Sequence, residues 1–158
     1  MDRRDDANPA HPISINRNRD EGILHRETRD FRFREILEVD GMAKLSDEMK
    51  AVFGKNKIFP VATASKAGVP NVAPIAFVQI VSDDTIWLGD NYMVKTLANV
   101  KENPWMAIEF WDPDTKKCFQ VKGSVEVKTS GPDYEKVKAM IKAKNEKFPA
   151  KSLLILQI

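Results

Sequence analysis

Two apolar runs, IFPVATAS at residues 58–65 and NVAPIAFVQIV at 71–81, are separated only by KAGVP, in which Gly68 and Pro70 read as a turn. That spacing restricts the fold more than any other feature of the chain. Strands joined by a tight turn pair antiparallel, whereas parallel neighbours need a crossover of a dozen residues or more. The pattern then continues. Ser82, Asp83 and Asp84 make a second turn, TIWLG a strand at 85–89, WMAIEFW a strand at 105–111 after Pro104, and CFQVKGSVEVKT a long strand at 118–129 with Gly123 as a bulge or bend. LLILQI closes the series. Three short helices intervene. The first is capped by Ser46, carries Leu45, Met49, Val52 and Phe53 on one stripe and stops at Gly54; the second spans 95–103 with Leu97 and Val100 inward; the third begins near Pro132 and carries Tyr134, Val137, Met140 and Ile141 on one face. Five or six strands with hairpin turns predict a mainly β fold, an antiparallel barrel with short helices packed outside. A doubly wound parallel sheet is disfavoured, because regular helix–strand alternation and the glycine-rich dinucleotide fingerprint are both absent.

Residues 42–158 form the predicted domain, and residues 1–41 read differently. The first 41 residues hold all eight arginines, both histidines (His11 and His25) and no lysine, while residues 42–158 hold all 17 lysines and no arginine or histidine. With few apolar residues and no sustained period, the first stretch is expected to be a disordered extension. The run Leu37 to Gly41 can be encoded by DNA containing GGAGGTG, a ribosome-binding sequence, a short distance before the codon for Met42. Met42 is therefore a candidate true start, with a genuine flexible extension as the alternative. At the other end the chain stops inside the apolar run LLILQI, so a few further residues are expected beyond it.

No window approaches the length of a membrane span and no signal-peptide pattern opens the chain, so a soluble cytoplasmic protein is expected. The single cysteine, Cys118, excludes an intrachain disulfide and a multi-cysteine zinc site, and is expected to pack within its strand. Residues 42–158 carry 17 lysines against 13 acidic residues, but these lysines are scattered without an aromatic-basic stripe, so nucleic-acid binding is not expected.

Histidine triads and histidine-ligated metals are excluded from residues 42–158, and no guanidinium is available there to clamp a substrate bidentately. Asp83 with Asp84, and Asp112 with Asp114, sit in predicted turns that account for them. A domain so poor in side-chain catalysts needs a cofactor to carry chemistry. The one suggestive cluster opens the second helix. Lys95 lies where the helix dipole disfavours a cation, and Lys95, Thr96 and Asn99 offer an ammonium, a hydroxyl and an amide within one turn. A bound phosphate would reverse the penalty; a solvated helix face with Thr96 as a cap is the plain alternative.

The segments GVPNVAPIAFVQI, DTIWLGDNYMVKTLANVKENPWMAIEFW and FQVKGSVEVKTSGPDYEKV together resemble the flavin-binding split-barrel family related to pyridoxamine 5'-phosphate oxidase, from about Ile58 to Ile158. KTLANVKENP is the most specific portion. The resemblance implies a six-stranded antiparallel split β-barrel that forms a homodimer with FMN in clefts at the subunit interface. It implies that Lys95 and Thr96 contact the flavin phosphate, with Asn99 in the same motif as contact or brace. It further implies that Ala73, Pro74 and Ile75 line the isoalloxazine ring, that Asp90 and Asn91 neighbour the ribityl chain, and that Trp111 reaches the cofactor from the second subunit or simply packs at the interface. The implied activity is that of an oxidoreductase passing hydride or electrons from NADH or NADPH to an acceptor. A flavin carrier or electron-transfer module, and a deazaflavin-dependent reductase, are the alternatives. Pyridoxamine phosphate oxidases hold substrate and flavin with arginine and histidine, which residues 42–158 lack, so that activity is not expected.

Overall fold

The computed structural model describes residues 43–158. The expectations for the first 41 residues, including His11, His25 and the start at Met42, lie outside the described residues. The described chain runs α1 (Asp47–Gly54), β1 (Phe59–Ala64), β2 (Pro70–Ile75), β3 (Val78–Ile80), β4 (Thr85–Asp90), α2 (Lys95–Glu102), β5 (Trp105–Asp112), β6 (Lys117–Lys128), α3 (Pro132–Lys144) and β7 (Ser152–Gln157). Every strand pairing is antiparallel, in the order β2-β1-β5-β6-β7-β4-β3. No helix among the described residues is long and apolar enough to cross a membrane.

The mainly β split-barrel fold is as expected, with seven strands rather than six. The difference lies at Ala76 and Phe77, where the run 71–81 breaks into β2, paired with β1, and β3, paired with β4. That break shows how the sheet curls. β2 and β3 are its two outer strands, yet only two residues separate Ile75 from Val78, a reach of about 10 Å. Seven strands laid flat would hold the outer pair roughly 29 Å apart. The sheet must therefore bend round until its edges meet.

Alternation along the strands fills the interior. Val61, Ile86, Leu88, Ile108, Phe110 and Leu156 pack inside the barrel, together with Val52 and Phe53 of α1 and Val100 of α2. A second cluster lies under α3, where Tyr134, Val137 and Ile141 meet Trp87, Phe77 and Leu153. Thus β4 and β7 are covered on both faces, at about 1.5–3 kcal/mol for each large side chain removed from water. The outer face of β5 is not covered in this way: Trp105, Glu109 and Trp111 are exposed there.

β6 pairs with β5 through Ser124 and with β7 from Ser124 onward, so it changes partner along its length. Gly123 sits at that change. A Cβ added there would lie 2.0 Å from the carbonyl oxygen of Gln157, so the site needs glycine for close backbone approach rather than for a bulge. Cys118 is exposed instead of packed, because it faces outward opposite Trp111; its thiol donates to the Glu109 carboxylate at 3.2 Å, which raises its pKa.

Candidate functional site

The three helices begin in different ways. α1 is capped by Ser46, whose hydroxyl accepts the Met49 N–H at 3.2 Å, and has Asp47 and Glu48 in its first turn. α3 starts at Pro132 and follows with Asp133 and Glu135. Both arrangements suit the positive end of a helix. α2 has no side-chain cap, no acid in its first turn, and a lysine as its first residue. Its first internal backbone bond is from the Ala98 N–H to the Val94 carbonyl, so the amides of Lys95, Thr96 and Leu97 lie ahead of the helix ladder.

The start of α2, from Val94 to Thr96, lines a cleft of about 400 Å³. One wall is β2 and its continuation to Phe77, and the other is the segment from Gly89 to Thr96. The walls touch at both ends. At one, the Asn71 amide donates to the Thr96 hydroxyl at 3.2 Å; at the other, the Gly89 N–H donates to the Phe77 carbonyl at 3.0 Å. Lys95 therefore stands at the first end, and α3 supplies Ile141 and Lys144 to the lining. Gly89 keeps the second end close-packed, since a Cβ there would lie 2.5 Å from Ile141 Cδ1 and 2.8 Å from Phe77 Cδ1.

The wall formed by β2 is more an edge than a face. Ala73, Pro74, Ile75 and Ala76 all line the cleft, although successive side chains of a strand point to opposite sides. Pro60 of β1 stands opposite Pro74, and neither has an N–H to exchange. By alternation, Asn71, Ala73 and Ile75 bond to β1, while Val72 and Pro74 turn their backbone groups to the free side of β2. At Pro74 that side has a carbonyl acceptor and no donor. Proline is at home on such an edge strand.

Six of the nine residues expected at the site line this cleft: Ala73, Pro74, Ile75, Asn91, Lys95 and Thr96. Asp90 is fully buried, with its carboxylate accepting the Met93 N–H at 2.7 Å and the Ser152 hydroxyl at 3.1 Å, so it shapes the turn into α2 instead of reaching the lining. Asn99 is also inward, donating to the Thr63 hydroxyl at 3.1 Å; Lys95 is exposed, so the two do not share a face as the helical spacing had implied. Trp111 lies on β5 with its carbonyl accepting from Asn56 at 3.0 Å, outside the lining.

Sequence reasoning missed Thr63 and Asn71. The Thr63 hydroxyl accepts from both Asn71 and Asn99, at 3.3 and 3.1 Å, and the Asn71 amide also holds Thr96. Because the Thr96 oxygen is already an acceptor, its own proton is free to point elsewhere. The register that places Thr63 opposite Asn71 follows from counting outward from the KAGVP turn, which was the available signal. Lys144 was missed because nothing in the α3 sequence separates it from the other lysines there. No group of three or more metal-ligating side chains is arranged to hold an ion among the described residues.

The family model described as Pyridoxamine 5'-phosphate oxidase matches residues 45–158. The chain belongs to this family. An uncharacterized protein of Methanocaldococcus jannaschii is 32% identical over 132 residues, covering 80% of this chain and 85% of that protein. HupZ of Group A Streptococcus is 26% identical with a TM-score of 0.64, over 72% of this chain and 88% of that one. An FMN-binding protein from Syntrophomonas wolfei is 22% identical with a TM-score of 0.56, over 79% of this chain and 83% of that one, a likeness of fold. In this member of the pyridoxamine 5'-phosphate oxidase family, the uncapped start of α2 and the whole cleft fall within the matched segment.

Proposed function

We propose that the cleft holds FMN and that the protein is a flavin-dependent oxidoreductase, passing hydride or electrons from NADH or NADPH to an acceptor. The observation that carries this reading is the start of α2, where a helix beginning without a side-chain cap, Lys95 and the Thr96 hydroxyl stand at one end of a largely apolar cleft. The donor set suits the group. Helix-start amides and an ammonium match a phosphate, the Asn71 amide oxygen and the Asn91 amide N–H groups match a polyol chain, and Ala73, Pro74 and Ile75 offer apolar contact beside a backbone carbonyl. A cleft of about 400 Å³ is within the range that encloses cofactors of this size.

When bound, the flavin supplies the hydride and electron chemistry, which the side chains of this domain do not. Lys95 and Thr96 would anchor the phosphate, with Thr96 held in position by Asn71 and Thr63. The Pro74 carbonyl would accept from an N–H of the ring and orient it. Phe77, Ile141 and Phe148 would supply apolar contact at the far end. The reading includes a homodimer formed through the outer face of the sheet, where Trp105 and Trp111 are 55% and 43% exposed and Val72 is 65% exposed. Sedimentation of the purified protein tests that part, and a monomer at micromolar concentration would overturn it.

One observation favours a carrier as the second reading: among the described residues no carboxylate, histidine or cysteine lines the cleft, and Tyr92, Lys95 and Lys144 are the titratable groups that do. A deazaflavin in the same cleft would change the cofactor alone. The deciding experiment begins with colour. Purified full-length protein should be yellow and release FMN on denaturation, and a colourless protein that takes up no added FMN would overturn the flavin reading. Anaerobic mixing with NADH and with NADPH then separates enzyme from carrier, since bleaching by either supports the enzyme and bleaching by neither supports the carrier.

A further inference from the structure

The cleft has a cation at each end. Lys144, the last residue of α3, lines it beside Phe77, with its ammonium 5.2 Å from the centre of that ring. The Tyr92 and Phe148 rings, edge to face at 6.5 Å, also belong to the lining. Among the described residues no ion pair engages Lys144. Lys142, in the same helical turn, donates instead to the Glu146 carbonyl at 2.8 Å and is absent from the lining. A last-turn lysine favours its own helix wherever it points. Only Lys144 also brings its charge to this cleft.

The geometry points to Lys144 as the residue that tunes the redox balance of a flavin held here, a role that rests on the flavin reading above. A phosphate at the Lys95 end fixes which way the cofactor lies, because phosphate and ring are at opposite ends of the ribityl chain. From Asn71 to Ile75 the wall is about 13 Å of extended strand, and beyond it the bend at Ala76 leads to Phe77, so the ring is directed toward Phe77 and Lys144. At neutral pH, reduction of a flavin by two electrons and one proton adds one negative charge to the ring. An ammonium at that end binds the reduced form more tightly than the oxidised one. Lys144 is exposed, so solvent and salt screen it. The expected preference is about tenfold, equivalent to about 30 mV for a two-electron couple.

The test compares the FMN-loaded wild type with Lys144→Gln, Lys144→Arg and Lys142→Gln in anaerobic dithionite titrations against a reference dye. Affinity for oxidised FMN is measured separately by fluorescence quenching of the free protein. Lys144→Gln is expected to lower the midpoint by about 30 mV, a tenfold loss of preference for reduced flavin, while its affinity for oxidised FMN stays within about twofold of wild type. Lys144→Arg should restore the midpoint, and Lys142→Gln should leave it unchanged. Added salt should also lower the wild-type midpoint toward that of the glutamine variant, a reading that needs no variant to fold. Equal shifts in the two glutamine variants, or no shift in either with no response to salt, overturn the inference and leave FMN binding standing. A wild type that binds no FMN overturns both.

Discussion

Replacing Lys95 by alanine removes one charge from the cleft and little else. The side chain is exposed, makes no ion pair among the described residues, and precedes the buried face of α2. Thr96 would be a poorer probe, since its hydroxyl also accepts from Asn71 and its loss would leave a half-buried amide short of a partner. A charge-assisted hydrogen bond contributes about 1.5–3 kcal/mol. At 1.4 kcal/mol per tenfold, and with solvent screening favouring the lower part of that range, Lys95→Ala should weaken FMN binding by roughly tenfold to a hundredfold. Riboflavin, which lacks the phosphate, supplies the control. Fluorescence titration of flavin-free protein with both ligands, at low and high salt, should show the loss for FMN alone and a smaller loss as salt rises. Equal weakening for FMN and riboflavin would refute the phosphate assignment and make Lys95 a structural residue.

The other predictions concern stability. Gly123→Ala should be more destabilising than Gly89→Ala, because the first sets a Cβ against the Gln157 backbone and the second against the ends of the Ile141 and Phe77 side chains. Overpacking of this kind costs about 1–3 kcal/mol, and urea midpoints measure both variants; the reverse order would contradict the close approach at Gly123. Asp112 accepts from Lys55 at 2.5 Å, from the Thr115 hydroxyl and from the Asp114 N–H, which hold its pKa at about 2. Its folded value lies below its unfolded one, so its contribution is complete above about pH 4 and is lost as the pH falls toward 2. Asp112→Asn should lower stability near neutrality and flatten the acid limb in that window, as followed by urea midpoints against pH.

Much of this fold was legible in the chain. Strict alternation gave β5 and β6, and Ser46 and Pro132 announced the starts of α1 and α3. The break at Ala76 and Phe77 was not, because an apolar run has the same appearance whether it stays with one partner or passes to another. At the cleft, Lys95 stood out for a local reason, a cation at the wrong end of a helix. Thr63, Asn71 and Lys144 could not stand out in that way. They join the site through strand register and through the docking of α3, which no short window of sequence contains. Asp90 and Asn99 lie beside the cleft and outside its lining, Asp90 accepting from the Met93 N–H of the turn into α2 and Asn99 bracing the Thr63 hydroxyl.

The place of β7 between β6 and β4 bears on how fast this protein can fold. Hairpins join β1 to β2, β3 to β4 and β5 to β6 over short stretches of chain. Among the described residues, strand pairing joins the two halves of the sheet through β7, which brings Thr85 beside Gln157. Loop closure over that separation must be achieved before the pairing contributes anything. β7 thus closes a long loop across the sheet, and refolding is expected on the millisecond-to-second scale of non-local β proteins, which stopped-flow fluorescence of the tryptophans measures.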